Sequence, residues 1–327
     1  MMKLKVDAHL WCLGTYAERY VPGGYFEPLS VDQQLEIMSK IDGLTGFFTF
    51  YPVAPLPDDP DKLVKKVESF GLKVSNLAVE CWGDRKWKHG TFCNNDEKVR
   101  KEAIKLFKDA IDFAKAIKAE SVLLWPAHDG FDYVFQVNYL DSWKYMVETV
   151  REIGEYADDM KIAVEAKLKD PRQKQFIGDT GKAMAFVNEV GLKNVGCALD
   201  IGHALQASEG IGESVILLDH WKKLIQIHIN ENYKDADPDM IFGTVNFWEI
   251  LEFYYYLNKT SYDGWCAIDI IAPRDDRKKS LELGVKLMWK FQGMAEKLLE
   301  HEKEIDDNLR GYRFTDNMDM ISELIFK

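Results

Sequence analysis

No apolar run in this chain approaches the roughly 20 residues needed to cross a bilayer. The opening stretch from Met1 to His9 carries Asp7 in place of a signal-peptide core, so the expectation is a cytoplasmic protein with no membrane attachment. C-x-x-C pairs are also missing. The five cysteines (Cys12, Cys81, Cys93, Cys197 and Cys266) are odd in number and two fall in strand-like runs, which predicts reduced thiols packed as small hydrophobes rather than disulfides. Basic clusters are absent and the net charge is −12. Nucleic acid is therefore not the expected partner, because its binding rests on neutralising phosphates with Lys and Arg. Neither a low-complexity stretch nor an interdomain linker breaks the chain, and a hydrophobic content of 46% leaves ample material for a core.

What the chain does contain is a regular alternation of strand-like and helix-like segments, the pattern of a mainly parallel sheet. Eight short apolar runs read as strands: 4–11, 44–50, 73–79, 121–125, 161–166, 195–199, 224–229 and 265–270. Helices are expected near 31–40, 60–70, 96–117, 140–156, 181–190, 209–221, 247–257 and 279–299. Asn94-Asn95-Asp96 and Asp179-Thr180-Gly181 supply N-terminal caps, and Gly71 and Gly191 terminate two helices. Eight such units in this length predict an α/β fold, a single (β/α)8 TIM barrel over residues 1–300, with a C-terminal helical extension over 301–327. In that extension Gly311-Tyr312-Arg313-Phe314 interrupts a charged stretch, and Met318–Phe326 reads as a short amphipathic helix. The extension either packs under the barrel or reaches a second subunit.

Four consecutive strands end in residues able to hold a metal: Glu165, Asp200, His228 and Asp269. Strands of a barrel point the same way, so these side chains should meet at its C-terminal mouth. Crowded carboxylates are costly to bury without compensation, and a cation removes that cost. Three carboxylates and one imidazole suit octahedral Mg, Mn or Co better than structural zinc. A second group lies close in sequence: His203, three residues past Asp200, and the Asp237-Pro238-Asp239 loop, with Asp235 just before it as either a ligand or a solvated turn. Through a shared Asp200, such a group completes a two-ion clamp. Lys167 shares the side of the extended chain that carries Glu165 and is placed to stabilise charge on a substrate oxygen. Trp125, at the end of the fourth strand, offers a flat wall or a core side chain.

At these residues the sequence resembles the xylose isomerase-like TIM-barrel superfamily, over roughly Val6 to Leu299. Glu165-x-Lys167 is similar to the E-x-K of xylose isomerase, Asp200-x-x-His203 to its E-x-x-H, and Asp237-Pro238-Asp239-Met240-Ile241-Phe242-Gly243 to its D-x-D-L-x-F-G. Upstream, Gly90-Thr91-Phe92 with Asn95-Asp96 and Arg100 resembles the G-x-F-x-x-N-D-x-x-x-R block, and Trp125-Pro126-Ala127-His128-Asp129-Gly130 stands where that family has W-G-G-R-E-G. The Glu–Asp–His–Asp ligand order is closer to rhamnose isomerase. The ring-opening histidine of the F-H-D segment is missing, since the chain reads Phe48-Thr49-Phe50-Tyr51-Pro52 there. Either His9 or His128 takes its place, or the substrate is an open-chain sugar.

The resemblance implies aldose–ketose isomerisation of a sugar by a 1,2-hydride shift, with one or two divalent ions per subunit, Mn, Mg or Co. One ion would sit on Glu165, Asp200, His228 and Asp269. A second would sit on Asp200, His203, Asp237 and Asp239, with Lys167 supporting O1 and with Trp125, Trp11 and Phe50 walling the pocket. No glycine-rich phosphate loop follows the last two strands, so an unphosphorylated sugar is expected. The alternatives within the superfamily are a ketose 3-epimerase, an inosose-type dehydratase or lyase, a histidine-rich DNA-repair endonuclease and a non-catalytic sugar-binding barrel. Only seven histidines occur in the chain, and the acidic charge speaks against the endonuclease. Related isomerases assemble through C-terminal arms, which together with the apolar residues of the tail predicts a homo-oligomer, a dimer or tetramer.

Overall fold

The computed structural model describes residues 4–17, 19–53 and 56–326. Eight strands close into a barrel in which each pairs in parallel with its neighbours in chain order: Lys5–His9, Gly46–Tyr51, Lys73–Val79, Ser121–Leu124, Lys161–Glu165, Val195–Asp200, Leu224–Ile229 and Trp265–Ile268. The first strand closes the ring against the eighth, with Val6 opposite Cys266. Around it run helices α1 (Val31–Ser39), α2 (Pro60–Ser69), α3 (Glu97–Ala116), α4 (Tyr139–Ala157), α5 (Thr180–Val190), α6 (Ile201–Gln206), α7 (Ile211–His220), α8 (Phe247–Leu257) and α9 (Arg277–Glu300). Among the described residues no helix is long and apolar enough to cross a membrane. All five cysteines are free and buried.

Local chemistry accounts for most boundaries. Asp96 caps α3 through the amide of Lys98, and Asp179 caps α5 through that of Lys182. Gly191 ends α5 in the left-handed conformation (φ 78°) that glycine adopts freely. Three segments differ from the sequence expectation. The first strand stops at His9, and Trp11 sits in a 3-10 turn over Leu10–Leu13. The helix expected at 209–221 is α7, but a further short helix precedes it, because Asp200 accepts from the His203 amide at 2.8 Å and starts α6 at once. Strand pairing also appears where none was expected: Gly130–Phe131 and Lys174–Gln175 form an antiparallel ribbon joining the loops after the fourth and fifth strands.

The tail continues as α10 (Glu302–Arg310) and α11 (Phe314–Phe326). The first forms despite its charge because Ile305 and Asn308 are buried beneath it. Along α11, Met320, Ile321, Leu324 and Ile325 pack against the core of their own chain, and the ring of Phe326 lies 5.9 Å from that of Phe247. Tyr312 and Phe314 remain exposed.

Inside the barrel, alternation along each strand builds layers. Phe48, Ala78, Leu123, Ala163, Ala198 and Ala267 form a compact middle layer separate from the core between barrel and helices. Four of these six are alanines, which leaves room for the larger polar groups directly above.

Candidate metal centre

Two residues above the middle layer, on the same inward face, stand Glu165 over Ala163, Asp200 over Ala198 and Asp269 over Ala267, with His228 one strand across from Asp200 in register. One ligand atom each from Glu165, Asp200 and His228 lie within 4.8 Å of one another, and all three residues are buried. His228 Nδ1 is 3.4 Å from Glu165 Oε1 and 3.9 Å from Asp200 Oδ2. Its other nitrogen, Nε2, is 3.1 Å from Gln226 Oε1. Gln226 in turn donates to Ser121 Oγ at 2.7 Å, so its amide oxygen is the end presented to the imidazole. An Nε2–H donated to that oxygen leaves the Nδ1 lone pair facing the carboxylates, as a metal-binding histidine requires. Asp269 lies above the same space with Oδ1 buried and without a partner among the described residues.

The second acidic group adjoins the first. His203 places Nδ1 3.2 Å from Glu165 Oε1 and 3.0 Å from the Ala166 carbonyl, and Nε2 3.1 Å from Asp237 Oδ2. Lys167 Nζ sits 2.7 Å from the same Asp237 oxygen and 5.3 Å from the centre of the Trp125 ring. Asp237 and Asp239 ride on a closed excursion after the seventh strand. Glu231 and Met240 pair across its base, and the buried Glu231 carboxylate accepts from the amides of Thr244, Val245 and Asn246 at 2.7–3.0 Å. Gly202 lets this loop approach, since a Cβ there would lie 2.0 Å from Asn230 Oδ1.

Burial raises every carboxylate here, and the neighbours decide the outcome. Burial would lift Glu165, yet His228 and His203 hold it below the usual carboxylate range. Burial likewise opposes Asp237, which His203 and Lys167 hold low. Asp269 is pushed up to about 7 by burial and by the Asp200 and Glu165 carboxylates, against the opposing charge of His228 and His203. Asp239 is pushed well above its usual range by burial and by Asp237 and Asp269, against the opposing charge of Arg19. His228 would be pushed down by burial, but Glu165 and Asp200 raise it to about 9. The protein thus holds protons and cations where a divalent ion would replace them. Oxygen donors with one imidazole and no thiolate form a set suited to Mg, Mn or Co.

His9, Trp11, Phe50, Trp125, Glu165, Lys167, His203, His228, Asp237, Asp239 and Asp269 all line one central cavity of about 50 Å³. Among the described residues His9 has neither ring nitrogen paired, and the indole nitrogens of Trp11 and Trp125 are likewise buried without partners, leaving hydrogen-bonding groups on an otherwise aromatic wall. Asp200 lies below this lining, where Oδ2 accepts from Asn230 at 3.0 Å. His128 stands apart from it, with Nε2 3.0 Å from the Trp82 carbonyl. Asp235 is exposed, and its carbonyl accepts from Lys169. The upstream block proves to be scaffolding: Asp129 accepts from the amides of Phe92 and Cys93 at 2.8 and 2.6 Å, and Arg100 from its side chain donates to the Asn94 carbonyl.

Sequence reasoning missed Arg19, Gln226 and Asn230, as well as Trp82, which also lines the central cavity, and Asn232, which donates to Asp237 Oδ1 at 3.3 Å. Gln226 was within reach, two residues before His228 on the inward face. Arg19 carries no periodic signal. Its guanidinium forms an ion pair with Asp239 and donates to the Asp237 carbonyl at 3.0 Å. It lines a second, larger cavity of about 590 Å³ that shares Asp237 with the central one.

The sequence profile of the family described as Xylose isomerase-like TIM barrel matches residues 37–290. Among solved structures, L-ribulose 3-epimerase superposes with a TM-score of 0.73 at 14% identity, covering 91% of this chain and 97% of that one. D-psicose 3-epimerase in the presence of D-fructose gives 0.69 at 15%, covering 89% and 100%. A D-tagatose 3-epimerase-like protein gives 0.68 at 18%, covering 90% and 100%. At such identities the likeness shows a shared fold.

Proposed function

Because this chain belongs to the family of xylose isomerase-like TIM barrels, we propose that it is a divalent-metal-dependent aldose–ketose isomerase acting on an unphosphorylated sugar. The observation that carries this reading is Lys167, whose ammonium is held 2.7 Å from Asp237 on the rim of the Glu165–Asp200–His228 cluster. A lysine there serves a reaction in which charge develops on a carbonyl oxygen.

The residues fit a bound ion. Glu165, Asp200 and His228 converge, and Asp269 offers an unpaired buried oxygen. One ion per chain belongs on this group, and a second on His203, Asp237 and Asp239 with Asp200 shared. A bound Mn, Mg or Co ion supplies Lewis acidity to the substrate hydroxyl and carbonyl oxygens. In the net reaction a hydride leaves C2 for C1 and a proton leaves O2 for O1, so composition is unchanged. Lys167 steadies O1. Asp237, held ionised by His203 and Lys167, fixes that ammonium in place, and the Asp239 carboxyl relays the proton from O2 to O1. Trp11, Phe50 and Trp125 exclude water from the migrating hydride. His9, buried and kept neutral by burial and by His228, offers its free ring nitrogens to substrate hydroxyls. The central cavity admits the reacting atoms, and the rest of the sugar extends towards the larger cavity.

A ketose 3-epimerase is the second reading, favoured by the likeness to structures named as 3-epimerases. There Glu165 and Asp269, from the fifth and eighth strands, would exchange a proton at C3. Incubation with aldoses deuterated at C2 and ketoses deuterated at C3, across pentoses, hexoses and deoxyhexoses with Mn²⁺, Co²⁺ or Mg²⁺, separates the two. Label retained at product C1 supports isomerisation. Washout of label from C3 of a ketose with inversion there would make the protein an epimerase, and preference for sugar phosphates would overturn the substrate class.

A further inference from the structure

The two acidic groups differ in what already neutralises them. Around Glu165, Asp200 and Asp269 the described residues supply imidazoles, the His203 backbone amide and the Asn230 side-chain amide but no Lys or Arg ion pair, and Asp269 keeps a buried oxygen without a partner among them. The Asp237/Asp239 pair carries two permanent cations. Lys167 holds Asp237 Oδ2, while Arg19 pairs with Asp239 Oδ2 and donates from its other terminal nitrogen to the Asp237 carbonyl.

Arg19 does not belong to the strand framework that delivers the other groups. It lies in the loop after the first strand, where the Tyr25 amide bonds the Thr15 carbonyl at 2.7 Å and the Tyr25 hydroxyl bonds the Arg19 carbonyl at 2.9 Å. Its side chain is 28% exposed and faces the 590 Å³ cavity, whereas Asp239 faces the central one. The guanidinium therefore stands at the boundary between the two spaces, with open volume on its outer side.

We propose that Arg19 is a built-in cation that competes with the second metal ion, so that the chain holds one ion tightly and admits another only when Arg19 swings into the outer cavity. The first group is untouched by this competition. A guanidinium stays charged at every accessible pH, and two cations on one carboxylate repel in a partly buried site. Asp239 can serve Arg19 or an ion, not both. The proposal rests on the metal-site reading given above for Asp237 and Asp239, and it makes no use of which sugar is turned over.

The test is manganese binding to the full chain in the absence of sugar, by titration calorimetry and by electron paramagnetic resonance, which reports free Mn²⁺ and spin coupling between neighbouring ions. Wild-type protein should take up one tight equivalent and a weaker second one. Arg19→Met should leave the first unchanged and tighten the second by roughly thirtyfold or more, the low end for removing one member of a desolvated charge pair. Spin coupling should appear at lower Mn²⁺ in that variant. Arg19→Gln, which keeps a hydrogen-bond donor without charge, should behave the same way and guards against a loop that misfolds around Met. Glu165→Gln in the Arg19→Met background should remove the tight equivalent and keep the other, which assigns the two sites. Two equal tight ions in the wild-type protein, or a second site unchanged in both Arg19 variants, overturns the proposal. Loss of all binding in every variant would instead remove the metal-site reading itself.

Discussion

Replacing Lys167 by Met keeps the length of the side chain and deletes its charge. The ammonium lies 2.7 Å from Asp237 Oδ2, and the two side chains are 12% and 1% exposed. At that separation and an effective dielectric near 20, the gross attraction is about 6 kcal/mol. Desolvation consumes much of it, and breaking a buried pair typically costs about 3–5 kcal/mol. His203 Nε2 stays 3.1 Å from the same oxygen, so the loss should fall near the lower end, about 3 kcal/mol. The sign with pH follows from the shift. Burial would lower the Lys167 pKa, but Asp237 and Asp239 raise it above the usual lysine value. Its stabilisation is therefore fully present below about pH 10 and is lost only in stronger alkali. The deficit of the variant should be constant from pH 6 to 9 in urea unfolding. The ion on Glu165, Asp200 and His228 should bind as before, because among the described residues Lys167 pairs with Asp237 and with none of those three. Turnover should fall by roughly a hundredfold to a thousandfold, the cost of one donor to a developing oxyanion. Turnover within about threefold of wild type on a verified substrate would refute the role at O1, and the epimerase reading would then be preferred. A stability deficit that vanished at pH 6 would refute the electrostatic account.

In a thermal melt with free Mn²⁺ at about 100 times its dissociation constant, wild-type protein should gain about 2.7 kcal/mol, and Glu165→Gln should gain almost none; equal gains would remove Glu165 from the ligand set. Asp7, fully buried at the bottom of the barrel, is pushed by burial to about 6 despite its hydrogen bond from Ser75. Its folded pKa exceeds the ordinary 3.8, so its contribution is complete below pH 4 and fades as pH rises through 6, by about 3 kcal/mol in all. Asp7→Asn should flatten unfolding free energy between pH 4 and 7 by that amount relative to wild type, and parallel profiles would contradict it. We also propose a homo-oligomer, a dimer or tetramer, in which the tail takes part. Deletion after Leu299 followed by light scattering tests this, and an unchanged subunit number would leave α11 with only the intramolecular packing seen on α8 and α9.

The strands and the inward ligands were legible because two signals coincide there: short apolar runs that mark a buried parallel sheet, and a polar residue at the next inward position. Ala163 before Glu165 and Ala267 before Asp269 show the pattern. Where one residue serves two purposes, the reading slipped. Asp200 caps α6 as well as facing the cluster, so a helix began eight residues before the expected one. His128 looked like a pocket residue from its place in a motif, but its ring turns to a backbone carbonyl. Arg19 was illegible, because loops have no period and only the folded chain shows which carboxylate a distant cation meets.

Asp200 spends one oxygen on the His203 amide and the other on Asn230, so the cluster is wired to a backbone hydrogen that solvent can replace. When an ion draws electron density from that carboxylate, the cap at the start of α6 weakens or shifts, and the exchange clock of a single amide changes with it. The His203 amide, followed in deuterated solvent, can thus report occupancy of the centre from inside the chain, with no substrate, dye or chromophore.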